Sequence, residues 1–566
     1  MKEAAKRRRP PLSLLPEMAR VLWRRAMTPF RVAWRRNWFY RRLLKGRMPD
    51  GIRFHPYDAL PRRLEDADAL LRGRYRFAGE SVDAKERSIF AMKPPSRDWA
   101  EALHGFDWLP PLSAAGGDPA RDLAADLLGE WIAHNPRYSE PAWYPQVAAA
   151  RLVHVFAHGR FVLSNSEVLW RSRVLVFVRE QSRLLARIAG EAPDGLPRFA
   201  AAATHALSGA CLDDSVRRLE SGLARLEAEI ARQILPDGGH VSRAPETLAH
   251  AYRHLVMVMD ALTAIGYQVP AALRNAHDRM APMLRFFRHG DGALALFNGG
   301  RESDGRMIAG LLARDEVRGQ PFAYAPYSGY QRLTAGRALA ILDCGKPPQG
   351  AFSVDAHAGS LSFEFSAGQQ RIVVNCGAPA DAQSGWDSAL RATAAHSTIT
   401  LDDTSIAWVL PPGRARNLIG PRLFGGPTEI VTSRVEIAQG WSVEASHDGY
   451  MREYGMVHER KLTLGARGEV LIGHDRLVPK GQGKRAVSFA LRFHIHPDIR
   501  MSPSQGAGIL LKLPNGDGWR FRCGGEAHID ESVYLGGDTV RRAEQLVVTG
   551  TVKDAPVDID WVFEQI

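Results

Sequence analysis

Cysteine is scarce and scattered: Cys211, Cys344, Cys376 and Cys523 are the only four in 566 residues. None pair at CxxC spacing, which excludes a zinc knuckle and gives no disulfide framework, so buried free thiols are expected. Long apolar runs are missing too. No stretch of about 20 apolar residues offers a spanning helix. Near the N-terminus arginines recur every few residues and Pro10, Pro11 and Pro16 intervene, so no secretory h-region is read there. Beyond the first 50 residues the chain also lacks a charge excess. The net charge of +12 resides in residues 1–50, where 15 Lys or Arg face only Glu3, Glu17 and Asp50; the remainder balances at 59 basic and 59 acidic side chains. A neutral body without a recognisable reading module argues against nucleic acid as a partner.

That basic segment, residues 1–50, runs from Lys2 through Arg7-Arg8-Arg9 to Arg47. It interleaves Leu22, Trp23, Phe30, Trp34, Trp38, Phe39 and Tyr40 with its arginines. Two readings stand: an amphipathic segment for an anionic membrane surface, or an extension that packs its aromatics on the body. With 45% hydrophobic and 24% charged residues the rest has ample core material, and its length suggests roughly two to four domains. Residues 51–118 read as linker and early helices. From about 119 to 310, segments such as 120–134, 147–159, 164–189, 200–212, 216–234, 247–265 and 270–287 repeat apolar residues at three- and four-residue spacing between Pro and Gly punctuation. From 311 to 566 short alternating or β-branched stretches replace them, among them 371–375, 457–464 and 486–493. Helices first and strands afterwards make an α+β multidomain chain with two consecutive halves.

The run Asp355-Ala356-His357-Ala358-Gly359-Ser360-Leu361-Ser362-Phe363-Glu364 resembles the His-x-His-x-Asp-x-Leu-Ser-Phe segment that opens the sandwich of heparinase II/III-like proteins. Around it, Ser328-Gly329-Tyr330, Asp343-Cys344-Gly345, Asn375-Cys376-Gly377, His396-Ser397-Thr398, His447-Asp448-Gly449-Tyr450 and His458-Glu459-Arg460 keep the order of that family. In the helical half, Pro141–Pro145 and Leu235–His240 do the same. The resemblance, to polysaccharide lyase-like proteins of bacterial type, covers about residues 120–566. It implies an incomplete α/α toroid followed by a large antiparallel β-sandwich.

It also implies a chemistry: β-elimination of a uronate-containing acidic polysaccharide. Such a site neutralises the uronate carboxylate, removes the adjacent carbon-bound proton and protonates the leaving oxygen. The resemblance places His205 at the carboxylate-binding position, with a core helical histidine as the alternative. It puts Thr247 where the family has its catalytic Tyr, and Tyr252 is the nearest replacement. His240 and Arg243 are the polar groups of the same turn. Asp355 stands at the catalytic His position, and Gly359 replaces an Asp. Trp143, Arg151 and Arg391 are the candidate sugar-binding residues, and Trp131 and Tyr144 would join the first two on a groove floor. No cofactor is required; the resemblance implies at most a structural zinc on His357, Asn375 and His396. The alternative for that trio is a buried hydrogen-bonded cluster between strands. Arg492, His494 and His496 fall on one strand face. The loop Asn298–Asp304 reads as a cleft border or as a plain interdomain loop. The resemblance implies the cell envelope or periplasm; without a leader the alternative is the cytoplasm or the inner-membrane surface. A non-catalytic glycan-binding or envelope-polysaccharide assembly protein on the same fold is the second functional expectation.

Overall fold

The computed structural model describes residues 14–566 except 62, 86, 165–166, 214–215, 315–320, 380–384, 438–439, 481–484, 505–507 and 538. The Arg7-Arg8-Arg9 triplet lies outside the described residues. Two compact units are present: a helical unit of Arg20–Ile234 and His250–Asp278, and a sandwich unit of Met1–Ala19, Leu235–Ala249 and Arg279–Ile566.

The helical unit is built on Gly117–His134, Pro145–Leu163, Val168–Ile188, Leu196–Cys211 and Val216–Gln233. Pro145 and Pro197 open their helices, where a missing N–H costs nothing. Helix Pro145–Leu163 buries residues all round its circumference and is central. Val216–Gln233 is one-sided, burying Leu219, Gly222, Leu223, Leu226 and Ile230 at helical spacing. Glycines set its approach to Leu196–Cys211: a Cβ on Gly209 would come within 2.5 Å of the Leu219 backbone, and one on Gly222 within 2.5 Å of Ala206. The region read as linker and early helices contains a hairpin, Arg74–Phe77 with Glu80–Asp83. Its two-residue turn at Ala78 and Gly79 takes positive φ at both positions, matching the twist of the strands. A bidentate buried ion pair, Arg253 Nε and Nη2 donating to Asp58 at 2.7 Å each, ties this segment to the helix Pro245–Ala264.

The first helix, α1 (Leu15–Arg36), is unlike the others. Its outer stripe of Leu22, Trp23, Met27, Phe30 and Trp34 stays in solvent, with Trp23 67% and Phe30 70% exposed. Val21, Thr28, Arg31, Val32 and Arg35 on the opposite side are half-buried.

The sandwich unit stacks two antiparallel sheets. One has eight strands in the order Ile430–Ile437, Gly440–Tyr450, Met456–Gly465, Val470–Pro479, Val557–Gln565, Gly518–Cys523, Ile509–Lys512 and Arg500–Pro503. The other runs Ala527–Tyr534, Arg541–Val552, Val487–Ile495, Gln370–Val374, Phe363–Ala367, Ala338–Asp343, Tyr330–Ala335 and Tyr324–Ala325, with Ile399–Leu401 paired to Val487–Ile495. Alternation supplies the core: Phe489, Leu491 and Phe493 point inward and meet Phe363, Trp561 and Phe563, while Arg492 and His494 turn to the other face.

Candidate functional site

The run beginning at Asp355 is a loop between the strands Ala338–Asp343 and Phe363–Ala367, reversed at Leu361 with φ 60. Arg391 shapes it: the buried guanidinium donates to the carbonyls of Ala356 at 2.9 Å, Ser353 at 3.0 Å and Pro421 at 2.7 Å. Expected to bind sugar, Arg391 is spent on backbone. The His357 N–H donates to Asn298 Oδ1 at 3.3 Å, and Asn298 Nδ2 donates to Tyr330 Oη at 2.9 Å. The loop Asn298–Asp304 thus supports the site from within the same unit.

His357 Nδ1 lies 3.1 Å from His396 Nε2. His396 Nδ1 faces the Ala392 carbonyl at 2.9 Å. It must therefore carry a proton there, which leaves its Nε2 to accept from His357. Burial pushes His396 down to about 4, and burial, His396 and Arg391 push His357 well below the usual imidazole range, so both rings are neutral. Asn375 is committed elsewhere: Oδ1 accepts from the Ser397 N–H at 3.1 Å, and Nδ2 donates to Glu364 at 3.2 Å. A Cβ at Gly359 would sit 2.7 Å from the His396 ring, so an aspartate there has no room. The zinc set of His357, Asn375 and His396 does not fit. His357 and His396 bond each other, both polar atoms of Asn375 are spent on Ser397 and Glu364, and among the described residues no group of three His, Cys, Asp or Glu is arranged for a metal. The buried hydrogen-bonded cluster is the arrangement found.

Asp355 is solvent-accessible at the edge of this cluster. Desolvation raises its pKa; Arg391 opposes this, and the Asp387 and Glu246 carboxylates add to it.

The turn Leu235–Ala249 belongs to the same unit. Asp237 accepts from the N–H groups of Tyr327 at 2.9 Å and Ser328 at 2.6 Å, and from Ser328 Oγ at 2.8 Å. Gly239 is required, because a Cβ would collide with Ser328 Oγ. His240 is buried with Nδ1 2.7 Å from Ser242 Oγ, and burial pushes its pKa down to about 3. Arg243, expected to reach substrate, turns inward at φ 59. Its guanidinium donates to the carbonyls of Ser328 at 2.7 Å, Gly345 at 3.1 Å, Lys346 at 3.2 Å and Gly329 at 3.2 Å, pairs with Asp343, and lies 4.7 Å over the Tyr330 ring. Glu246 instead engages Arg301 through its N–H and guanidinium at 3.1 Å each.

The remaining candidates belong to the helical unit and are core. His205 lies in the tight helix pair, its Nε2 3.3 Å from Ser221 Oγ; burial, then Arg225 and Arg218, push it down to about 4. Tyr252 is fully buried beside His277. Arg151, fully buried, donates to the carbonyls of His104 at 2.7 Å and Ala142 at 2.9 Å and to Gln181 at 2.5 Å, with its guanidinium 4.2 Å over Trp131. Trp143 is buried against Tyr138. The groove floor expected from Trp131, Trp143 and Arg151 is the interior of the helical unit: an arginine flanked by indoles reads as a sugar platform in sequence and packs as a cation–π core here.

Two buried networks underlie the motifs. Asp475 accepts from His458 Nε2 at 2.7 Å, Arg460 Nε at 2.8 Å and Trp561 Nε1 at 2.7 Å. Arg460 Nη1 then donates to the carbonyls of Leu361 at 2.6 Å and Ser397 at 2.8 Å, fixing both segments that carry the His357–His396 pair. Glu364 accepts from Leu296 N at 3.0 Å and pairs with His289 at 3.0 Å. Their sequence signal was a charged residue inside a strand that otherwise reads as core.

A family model described as heparinase II/III-like, C-terminal, matches residues 317–562. FtsZ-localized protein C of Caulobacter vibrioides is 31% identical over 558 residues, covering 96% of each chain. Among solved structures, heparinase III superposes with a TM-score of 0.69 at 14% identity, over 89% of this chain and 84% of that one. Heparan sulfate lyase HepC from Pedobacter heparinus gives 0.58 at 15% identity, over 93% and 87%.

Proposed function

The chain belongs to the heparinase II/III-like family, and from that premise we propose that it uses this fold as a binding scaffold at the membrane, without β-elimination, and gathers with FtsZ as the Caulobacter relative's name states of that protein. The observation that carries the first half is the internal use of the lyase positions. Arg243 and Arg391 spend their donors on carbonyls of their own unit, His240 is a buried neutral imidazole, and Thr247 takes the place of a tyrosine. A threonine hydroxyl does not ionise near neutral pH and cannot exchange protons with a sugar carbon.

The second half rests on α1. An apolar stripe left in solvent and flanked by Arg20, Arg24, Arg25, Arg31 and Arg35 has the form of a helix lying in a bilayer interface. No helix among the described residues is long and apolar enough to cross a membrane, so attachment is peripheral in this reading.

Two measurements test it. Purified protein is incubated with heparan-type, alginate, hyaluronan and bacterial exopolysaccharides while the ultraviolet absorbance of unsaturated uronate is followed; a flat trace is expected, and a rise with any polymer overturns the non-catalytic reading. A fluorescent fusion should coincide with FtsZ, and Phe30→Glu with Trp34→Glu should leave the protein in the supernatant of vesicle pelleting. A diffuse wild-type fusion, or pelleting unchanged in the variant, refutes the scaffold role.

One observation favours a second reading, residual catalysis. Asp355 is accessible, stands at the catalytic position of the family motif, and has its carboxyl pKa raised by desolvation, the direction that favours a general base. In that case Asp355→Asn abolishes any absorbance rise while leaving the thermal midpoint in place.

A further inference from the structure

A cavity of about 410 Å³ opens in the helical unit beside α1, lined by Trp23, Arg24, Arg31, Arg35, Arg97 and Tyr144 among others. Four arginines line it with two carboxylates, Glu140 and Glu191, and Arg97 Nε also donates to a third, Glu101, at 2.8 Å. Glu191 pairs with Arg35 and stands 3.7 Å from Arg31, while Glu140 accepts from Tyr144 Oη at 3.1 Å. The guanidinium of Arg97 lies 5.1 Å over the Tyr144 ring. A guanidinium cluster in excess of its carboxylates, walled by aromatic rings, suits a phosphate oxyanion, which takes several charge-assisted hydrogen bonds at once. Helical spacing adds the decisive point. Arg24, Arg31 and Arg35 lie along one flank of α1, and Trp23 contributes both to the cavity lining and to the exposed stripe with Phe30 and Trp34.

We infer that this cavity is a phosphate-binding site for the headgroup of an anionic phospholipid, seated while the Trp23–Phe30–Trp34 stripe enters the interface. The inference rests on the membrane reading of α1 and adds to it a defined ligand class and pocket. A free phosphate monoester shares the chemistry, so the test separates the two sources.

Binding of full-length protein is measured by flotation with vesicles of phosphatidylcholine alone and of phosphatidylcholine doped with phosphatidylglycerol. The variants are Arg24→Gln/Arg31→Gln, which empties the pocket of two charges, and Arg20→Gln/Arg25→Gln, which removes equal charge from α1 residues outside the pocket lining. Generic attraction, worth about fivefold in affinity per arginine, weakens both pairs alike. The pocket pair should lose about tenfold more, with an unchanged thermal midpoint, and soluble glycerophosphate should compete with the wild type but not with that pair. Equal loss in the two pairs overturns the pocket while leaving the membrane helix standing. Should wild type ignore vesicles yet bind glycerophosphate by calorimetry, the site holds as a phosphomonoester site and the membrane reading falls. Binding of neither overturns both.

Discussion

At Arg243 the backbone takes φ 59 and the guanidinium meets four carbonyls and the Asp343 carboxylate. Burying such a cation is tolerable only because every donor direction finds a partner, and removing it strands Asp343 inside. Arg243→Ala is expected to cost about 3–5 kcal/mol in denaturant titration. Arg243→Lys should recover only part of that, since a single ammonium cannot replace the fork. A substrate-facing arginine would leave stability untouched, so an unchanged midpoint would return Arg243 to the cleft. The same distinction separates Arg391, bound to Ala356, Ser353 and Pro421, from the sugar-binding role that its place in a family motif suggested. Sequence identifies such residues as arginines in a motif; it does not say whether the fork faces inward, because that depends on where distant carbonyls arrive.

At the level of elements, the helix pair Leu196–Cys211 and Val216–Gln233 shows how tightly the helical unit is specified. Gly222→Ala places a methyl within 2.5 Å of Ala206 backbone atoms that cannot yield, and overpacking of this kind typically costs about 1–3 kcal/mol. Gly129, inside Gly117–His134, would meet only the Trp170 ring edge at 3.4 Å. Gly129→Ala should therefore stabilise by about 0.4–1 kcal/mol through lost unfolded-state entropy. Thermal melts of the two variants should move in opposite directions; a neutral Gly222→Ala would mean that the helices do not approach as described. These helices were legible as periodic segments, with ends within a few residues of those observed, because each buries a stripe at helical spacing. The hairpin Arg74–Phe77 with Glu80–Asp83 was not legible, since four-residue strands rich in charge carry too short an alternation to stand out.

For the molecule as a whole, acid should be the weak side. Burial holds His205 and His396 at about 4 and His240 and His494 at about 3, against about 6.5 in an unfolded chain. Between those values the unfolded state binds more protons than the folded one, so stability is full above about pH 6.5 and falls as pH drops toward 4. The loss is about 1.4 kcal/mol per pH unit for each such histidine once well below its unfolded pKa. Lower still, Asp58 and Asp475 act in the same direction. Despite desolvation, Arg253 and Arg460 hold their carboxyls below the usual range, and protonation forfeits those pairs. Denaturation midpoints measured from pH 7.5 to 4, as a rough span around these pKa values, should decline monotonically; a flat profile would show that the imidazoles are not buried neutral. The order of helices before strands, the basic amphipathic N-terminus and the family motifs were all fixed by local composition and spacing, which act over a few residues and survive in a linear text. That His357 and His396 bond each other, and that Arg151 fills a core where a groove floor was expected, came only from the tertiary structure, because burial and partner geometry come from residues far apart in the chain.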